Sequence, residues 1–550
     1  MSNPQSIGLY LLNRLSEEGV NHVFGVPGDY VLGFYDLLVH SSLQHIGTTR
    51  EDTAAFAADG YARCHGMGAL AVTYGVGALN VVNAIAGAYA ESSPVVVISG
   101  APGLNEQRKD PLIHHRFGPF QFQKEIFERI TCATVVIDDP LIAFRQIDRA
   151  LALARRHSKP VYIEIPRDVV HVPGFAITAE KGEQPVSDQH ALAEAIQETL
   201  MLLRQAQRPV ALAGVELHRR ELQDDLLQFV QKANIPVAAT MTGKSVLGER
   251  HRHYIGVYEG AMGSERARHI VENSDLLLTF GMQFNDVDLG GYTATLNPAQ
   301  MVRAFQEEVF IRHHHYPQVL LGDFLAALAK DAPRVAAPLP DADTGPTATG
   351  FPWKNQEMTV ARMMGRLNDG LTPDMTLVCD VGDCLFASVD LRVHERTQFL
   401  ASAFYTSMGF AMPAALGAAV ARPDRRPLIL VGDGAFQMTG TELSTIARLK
   451  LNPIVIVLNN KGYSTERFIL EGPFNDIASW RFDRLGEVFG PLQGFNVNSE
   501  EEFESAFKTA LATKGMPSLL NVHLRPDDPS PGMRRLAEHL SHTLSKGKAL

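Results

Sequence analysis

Cysteine is scarce in this chain: its 550 residues hold four, Cys64, Cys132, Cys379 and Cys384, scattered without a pairing pattern. That argues against a disulfide framework and suits a reducing compartment. Basic residues are outnumbered, 50 Lys and Arg against 61 Asp and Glu, for a net charge of −11. A nucleic-acid or anionic-membrane surface would need the opposite balance. No uninterrupted apolar run approaches the roughly 18 residues of a membrane-spanning helix. Met1 to Gly19 alternates polar and apolar residues at helical spacing, so a signal peptide is not expected, and a cytoplasmic location with no membrane partner is the default. Short tandem repeats are missing as well. Nucleotide signatures start and fail. Gly75-Val76-Gly77 and Gly432-Asp433-Gly434 each begin a dinucleotide fingerprint, but the sixth positions are Asn80 and Gln437. Thr242-Gly243-Lys244-Ser245 lacks the earlier glycine of a phosphate-binding P-loop, since position 238 is Ala238. His313-His314-His315 reads as a solvated or interdomain loop, because consecutive side chains rarely converge on one ion.

What is present is ordinary globular material, 45% hydrophobic and 20% charged, long enough for three or four domains. Short apolar strands alternate with helix-like segments: His22–Val26, Leu43–Gly47, Leu70–Tyr74, Pro94–Ser99 and Val161–Ile165, then Pro209–Ala213, Pro236–Ala239 and Asp275–Phe280. Alternation of this kind predicts α/β domains built on doubly wound parallel sheets. Polar Glu180–Gln189 and the Pro-, Ala-, Asp- and Gly-rich Ala332–Thr349 read as connections, giving three domains at 1–180, 190–332 and 351–545. The sequences of the first and third regions show no shared architecture.

The most informative stretch is Gly432–Asn460, GDGAFQMTGTELSTIARLKLNPIVIVLNN. One apolar strand, Leu428–Val431, ends at Gly432-Asp433-Gly434; a second, Ile454–Leu458, ends at Asn459-Asn460. The spacing fits one crossover, so both strands deliver their polar ends to the same sheet edge. Asp433 and Asn460 then offer hard oxygens suited to Mg²⁺ or Ca²⁺ carrying phosphate oxygens, and the glycines admit an anion close to the backbone. Three other segments stand out: Asp29 after a strand in VFGVPGDY, Glu51 after the strand Leu43–Gly47 in TTREDTAAFAADGYAR, and the pair His114-His115 in PLIHHRFG. Singly, Glu51 reads as a helix-dipole acid and the histidines as solvated loop residues.

Together these segments resemble the thiamine-diphosphate (ThDP)-dependent 2-oxo acid decarboxylases, in the pyruvate, indolepyruvate and phenylpyruvate branch, over nearly the whole chain. The resemblance implies a pyrimidine-binding domain, a middle domain that is structural or regulatory, and a diphosphate-binding domain. It makes Asp433, Asn460 and the Gly462 carbonyl the Mg²⁺ ligands. Gly432, Gly434, Ala435, Tyr463 and Asp383 would contact the cofactor, Asp383 as a hydroxyl-binding or structural acid. Glu51 would hydrogen-bond the aminopyrimidine so that the ring's imino nitrogen forms the ylide. Met408, which on its own reads as core, would support the bent cofactor. Asp29, His114, His115 and Glu466 form the quartet of the aldehyde-releasing branch, protonating the enamine and taking up the hydroxyl proton. Val381, Leu385, Thr465 and Ile469 would line the substrate cleft; three of the four are apolar, so the 2-oxo acid should be apolar. Phenylpyruvate and indolepyruvate lead, with branched or long-chain aliphatic 2-oxo acids next. A carboligase and a non-catalytic regulatory subunit of the same fold are the alternatives. The chain departs from the family after His115, where RFGPFQFQ stands, and at Val381, a position that is polar in several relatives. A homodimer or homotetramer follows from the resemblance, with active sites at the subunit interface and the cofactor spanning the first domain of one chain and the third of another.

Overall fold

The apolar segments assemble into three sheets in the computed structural model, which describes residues 5–175, 185–341, 345–350 and 352–545. The first contains β1 (His22–Gly25), β2 (Gln44–Gly47), β3 (Gly68–Val72), β4 (Val95–Ala101), β5 (Ala133–Val136) and β6 (Val161–Pro166). Its spatial order is β2-β1-β3-β4-β6-β5, parallel throughout. The second holds β7 (Pro209–Ala213), β8 (Val237–Thr240), β9 (Tyr254–Tyr258), β10 (Leu276–Phe280), β11 (Met301–Phe305), β12 (Glu308–Ile311) and β13 (His314–Pro317), in the order β13-β12-β11-β10-β7-β8-β9. The third holds β14 (Met375–Cys379), β15 (Phe399–Ala401), β16 (Arg426–Gly432), β17 (Ile454–Asn459), β18 (Gln493–Val497) and β19 (Ser518–His523). Its order, β15-β14-β16-β17-β19-β18, repeats that of the first sheet position for position. Burial on both faces explains the continuous apolar runs of strands such as β4 and β17, every residue of which is buried.

The second sheet adds an antiparallel edge to its parallel strands. Its β12 runs antiparallel to both β11 and β13, with Phe305 opposite Glu308 across a turn too short for a parallel crossover. The histidine triplet is a correction: His314 and His315 belong to edge strand β13 and are not loop residues. Alternation sends them to different partners, His314 Nδ1 to Glu198 at 2.9 Å and His315 Nε2 to Glu308 at 2.9 Å. Of the predicted linker Glu180–Gln189, residues 180–184 lie outside the described residues, and Gln189 already opens the helix Gln189–Gln205. Of Ala332–Thr349, residues 342–344 lie outside the description, and the others form neither helix nor strand. None of the four cysteines is in a disulfide.

The chain packs as two compact units, Met1–Glu183 with Gly409–Asp424 and Thr439–Leu451, and Gln184–Met408 with Arg425–Met438 and Asn452–Leu550. In the first unit the helix Glu51–His65 lies against the helix Ala411–Ala421 through small residues. A Cβ on Gly60 would come 2.3 Å from the Ala414 carbonyl oxygen, and one on Gly417 would come 1.9 Å from that of Ala57, so only glycine permits this approach. Among the described residues, no helix is long and apolar enough to cross a membrane.

Candidate functional site

In the first unit the polar residues follow the carboxyl ends of adjacent strands, where open α/β sheets place their ligands. Asp29 follows β1, Glu51 follows β2, Gly75 follows β3 and the two histidines follow β4. His114 Nε2 lies 2.7 Å from Asp29 Oδ2. The His114 ring stacks on Tyr30 at 5.0 Å and meets the His115 ring edge-on at 4.8 Å. Asp29, His114 and His115 bring one ligating atom each within 4.8 Å of one another. His115 holds a left-handed φ of 65°, and its Nδ1 is buried without a hydrogen-bond partner.

The loop bearing the histidines rests on Gly75, whose φ of 67° and missing side chain both count: an added Cβ would sit 2.3 Å from the His115 carbonyl oxygen. Beneath lies a buried polar network that the sequence did not announce. Gln123 Oε1 accepts the Gly75 N–H at 2.7 Å, and its Nε2 donates to Ser99 Oγ at 2.9 Å and to the Tyr162 hydroxyl at 2.5 Å. Tyr162 in turn donates to Glu164, which is 4% exposed and whose carboxyl burial pushes up to about 7. Glu51 opens its helix without a side-chain cap, and its Oε2 accepts from Asn80 Nδ2 at 2.8 Å.

In the second unit the Asp433 turn is buried and closed. Asp433 is 2% exposed and accepts the N–H groups of Gly434 and Lys461, each at 2.8 Å. Burial pushes its carboxyl up to about 6, and no cationic side chain pairs with it among the described residues. Asn460 turns its Nδ2 to Ser464 Oγ at 2.9 Å, which leaves its buried Oδ1 with no donor. A buried carboxylate and an orphaned amide oxygen on neighbouring strand ends form a donor set that suits a hard cation. Gly462, also proposed as a ligand, is buried with φ 145°, and the Tyr463 ring packs where a Gly434 side chain would be. Gly432 has open space where a Cβ would stand, and Ala435 is buried behind it. These residues therefore fit a metal bound to a diphosphate.

The other expected residues divide. Thr465 Oγ1 approaches the Val381-Gly382 turn, 3.4 Å from a Cβ built on Gly382. Thr465 and Ile469 stand one helical turn apart on Ser464–Ile469, with Ile469 and Glu466 exposed. Leu385 is buried, in the apolar core of the third sheet. The Asp383 carboxylate accepts the Ser530 N–H at 3.1 and 3.2 Å and is pushed up to about 6 by burial. Met408 is 39% exposed, contrary to a core reading. Lys244 of the rejected P-loop is fully buried, its Nζ 2.7 Å from Glu249 and 2.9 Å from the Leu391 carbonyl.

Comparison with known proteins covers nearly the whole chain. The model of the thiamine pyrophosphate enzyme N-terminal TPP binding domain matches residues 5–126, that of the central domain 196–330 and that of the C-terminal TPP binding domain 380–522. An indole-3-pyruvate decarboxylase of Azospirillum brasilense is 36% identical over 93% of this chain and 94% of its own length. A probable pyruvate decarboxylase of Schizosaccharomyces pombe is 34% identical over 95% and 94%, and an alpha-keto-acid decarboxylase of Mycobacterium leprae is 34% identical over 95% of each. With that similarity over more than nine-tenths of its length, the chain belongs to the thiamine-diphosphate-dependent 2-oxo acid decarboxylases.

Proposed function

We propose that this decarboxylase converts apolar 2-oxo acids, phenylpyruvate- or indolepyruvate-like, into the aldehyde and CO₂. The observation that carries the reading is the Asp29–His114 hydrogen bond of 2.7 Å with His115 against it. Thiamine diphosphate, when bound, supplies the electron sink that accepts the pair released as CO₂ leaves. Asp433, Asn460 Oδ1 and the Gly462 carbonyl would hold Mg²⁺ and through it the diphosphate, with Gly432, Gly434, Ala435 and Tyr463 shaping the approach. Glu51 would orient and polarise the aminopyrimidine ring. Asp29, His114, His115 and Glu466 would deliver the proton that replaces the carboxylate and remove the hydroxyl proton as the aldehyde departs. Val381, Thr465 and Ile469 would face the substrate side chain, Leu385 backing them from the core.

Two of those three cleft residues are apolar, which favours an apolar side chain, and a relative named for indole-3-pyruvate supports the aromatic choice. A methylene is worth only about 1–3 kcal/mol of discrimination, so aliphatic 2-oxo acids should turn over too. The same reading carries a homodimer or homotetramer and domain limits at 1–180, 190–332 and 351–545, open to light scattering and limited proteolysis.

The test is aldehyde release from phenylpyruvate by chelator-treated protein, with and without ThDP and Mg²⁺. Phenylacetaldehyde formed only when both are present is the expected result. Turnover confined to aliphatic 2-oxo acids would overturn the aromatic assignment, and acyloin as the main product would overturn the assigned proton transfer.

A further inference from the structure

The short helix Val76–Asn80 touches both halves of the first unit's polar corner. Its start is pinned, because the Gly75 N–H is held by Gln123 at 2.7 Å while the Gly75 backbone lies under His115. Its last residue is Asn80, whose Nδ2 donates to Glu51 Oε2 at 2.8 Å. Asn80 Oδ1 accepts from Arg50 Nη2 at 3.3 Å, and Arg50 is fixed in turn by Asp52, Nε to Oδ1 at 3.0 Å and Nη2 to Oδ2 at 3.2 Å. The guanidinium therefore decides the orientation of the amide: with the oxygen drawn to Arg50, the NH₂ group must face Glu51. Glu51 Oε1 is left without a protein partner among the described residues. Beside it stands Gly77, where even an added Cβ would remain 3.7 Å away. One carboxylate oxygen is thus tethered and the other presented.

We propose that Asn80 is a positioning residue for Glu51, holding Oε2 so that Oε1 meets the aminopyrimidine ring in a fixed direction. The inference rests on the cofactor role of Glu51 given above. A charge-assisted hydrogen bond of this kind is worth about one to two factors of ten, and Asn80 acts through Glu51 without touching the reacting atoms.

Calorimetric titration of chelator-treated, full-length protein with ThDP in excess Mg²⁺ reads the effect independently of turnover. Asn80→Ala should weaken ThDP binding about tenfold and lower kcat about tenfold, with KM for the 2-oxo acid within about twofold and an unchanged thermal midpoint. Asn80→Asp should do worse than Asn80→Ala, since it sets a like charge against Glu51. In a Glu51→Gln background, Asn80→Ala should cost no further ThDP affinity. Affinity and kcat within about twofold of wild type in Asn80→Ala, an Asn80→Asp variant no worse than the alanine, or fully additive losses in the double variant would each overturn the proposal. Near-normal turnover by Glu51→Gln alone would instead overturn the role assigned to Glu51.

Discussion

The first and third sheets share one strand order yet present opposite chemistry at their carboxyl ends. After β1 and β4, Asp29 and His114 stand half in solvent, and His115 is held in a strained backbone. After β16 and β17, Asp433 and Asn460 are buried, and their oxygens are fixed by backbone N–H groups or left for a cation. Proton transfer needs groups whose charge can change without a large desolvation cost, which half-exposed side chains provide. Ion binding needs preformed oxygens that hold a high local charge, which buried ones provide. The scaffold is neutral between the two; what decides is the loop. Thirty-odd residues separate β4 from β5 and carry the histidines outward, whereas the helix Asp433–Thr439 begins directly at the end of β16.

Substitutions on each side break the comparison at different points. The largest effect is expected for Glu51→Gln, which should lower kcat by about a thousandfold or more while the circular dichroism spectrum stays unchanged; turnover within tenfold of wild type would contradict the contrast. Asp433→Asn should act on retention, weakening the apparent affinity for Mg²⁺ and ThDP about a hundredfold, with part of kcat recovered at saturating concentrations of both. Failure of excess metal and cofactor to restore any activity would move Asp433 from binding to chemistry.

A smaller, structural effect is expected beneath the histidine corner. Glu164 has a folded-state pKa raised from 4.5 to about 7 by burial, so the folded protein holds its proton longer than the unfolded chain. Stability then falls as pH rises through that window, by about 2 kcal/mol between pH 5.5 and 8 from this group alone. Glu164→Gln should flatten the profile, as read by denaturant midpoints, and an unchanged slope would show that the carboxyl is already ionised in the fold. The smallest effect concerns selectivity: Ile469→Ala should reduce kcat/KM for phenylpyruvate relative to pyruvate by about three- to tenfold.

Much of this was legible in the sequence because strand ends and their polar neighbours are local features. Strands β7, β10 and β17 fall within a residue of their predicted limits, and the Asp433–Asn460 pairing follows from one crossover between apolar runs. Strand order is not local, so the twin topology of the first and third sheets stayed hidden, as did the antiparallel edge of the second. Gln123 closes RFGPFQFQ, a stretch notable in sequence only as a departure from the family, and gains its meaning from Gly75, far away in sequence. Asn80 is the most instructive case. At the sequence level it served to reject a dinucleotide fingerprint, and in the fold the same side chain holds Glu51.

The glycine-mediated contact between the helices Glu51–His65 and Ala411–Ala421 also sets a schedule for synthesis. Residues up to Glu183 leave the ribosome before the segment starting at Gly409 that completes their unit. At roughly 5–20 residues per second, the nascent first unit waits some tens of seconds with an Ala-rich helix face uncovered. That interval is far longer than local folding of its helices, so the time for aggregation or proteolysis to reach this face is the time in which the chain is being made.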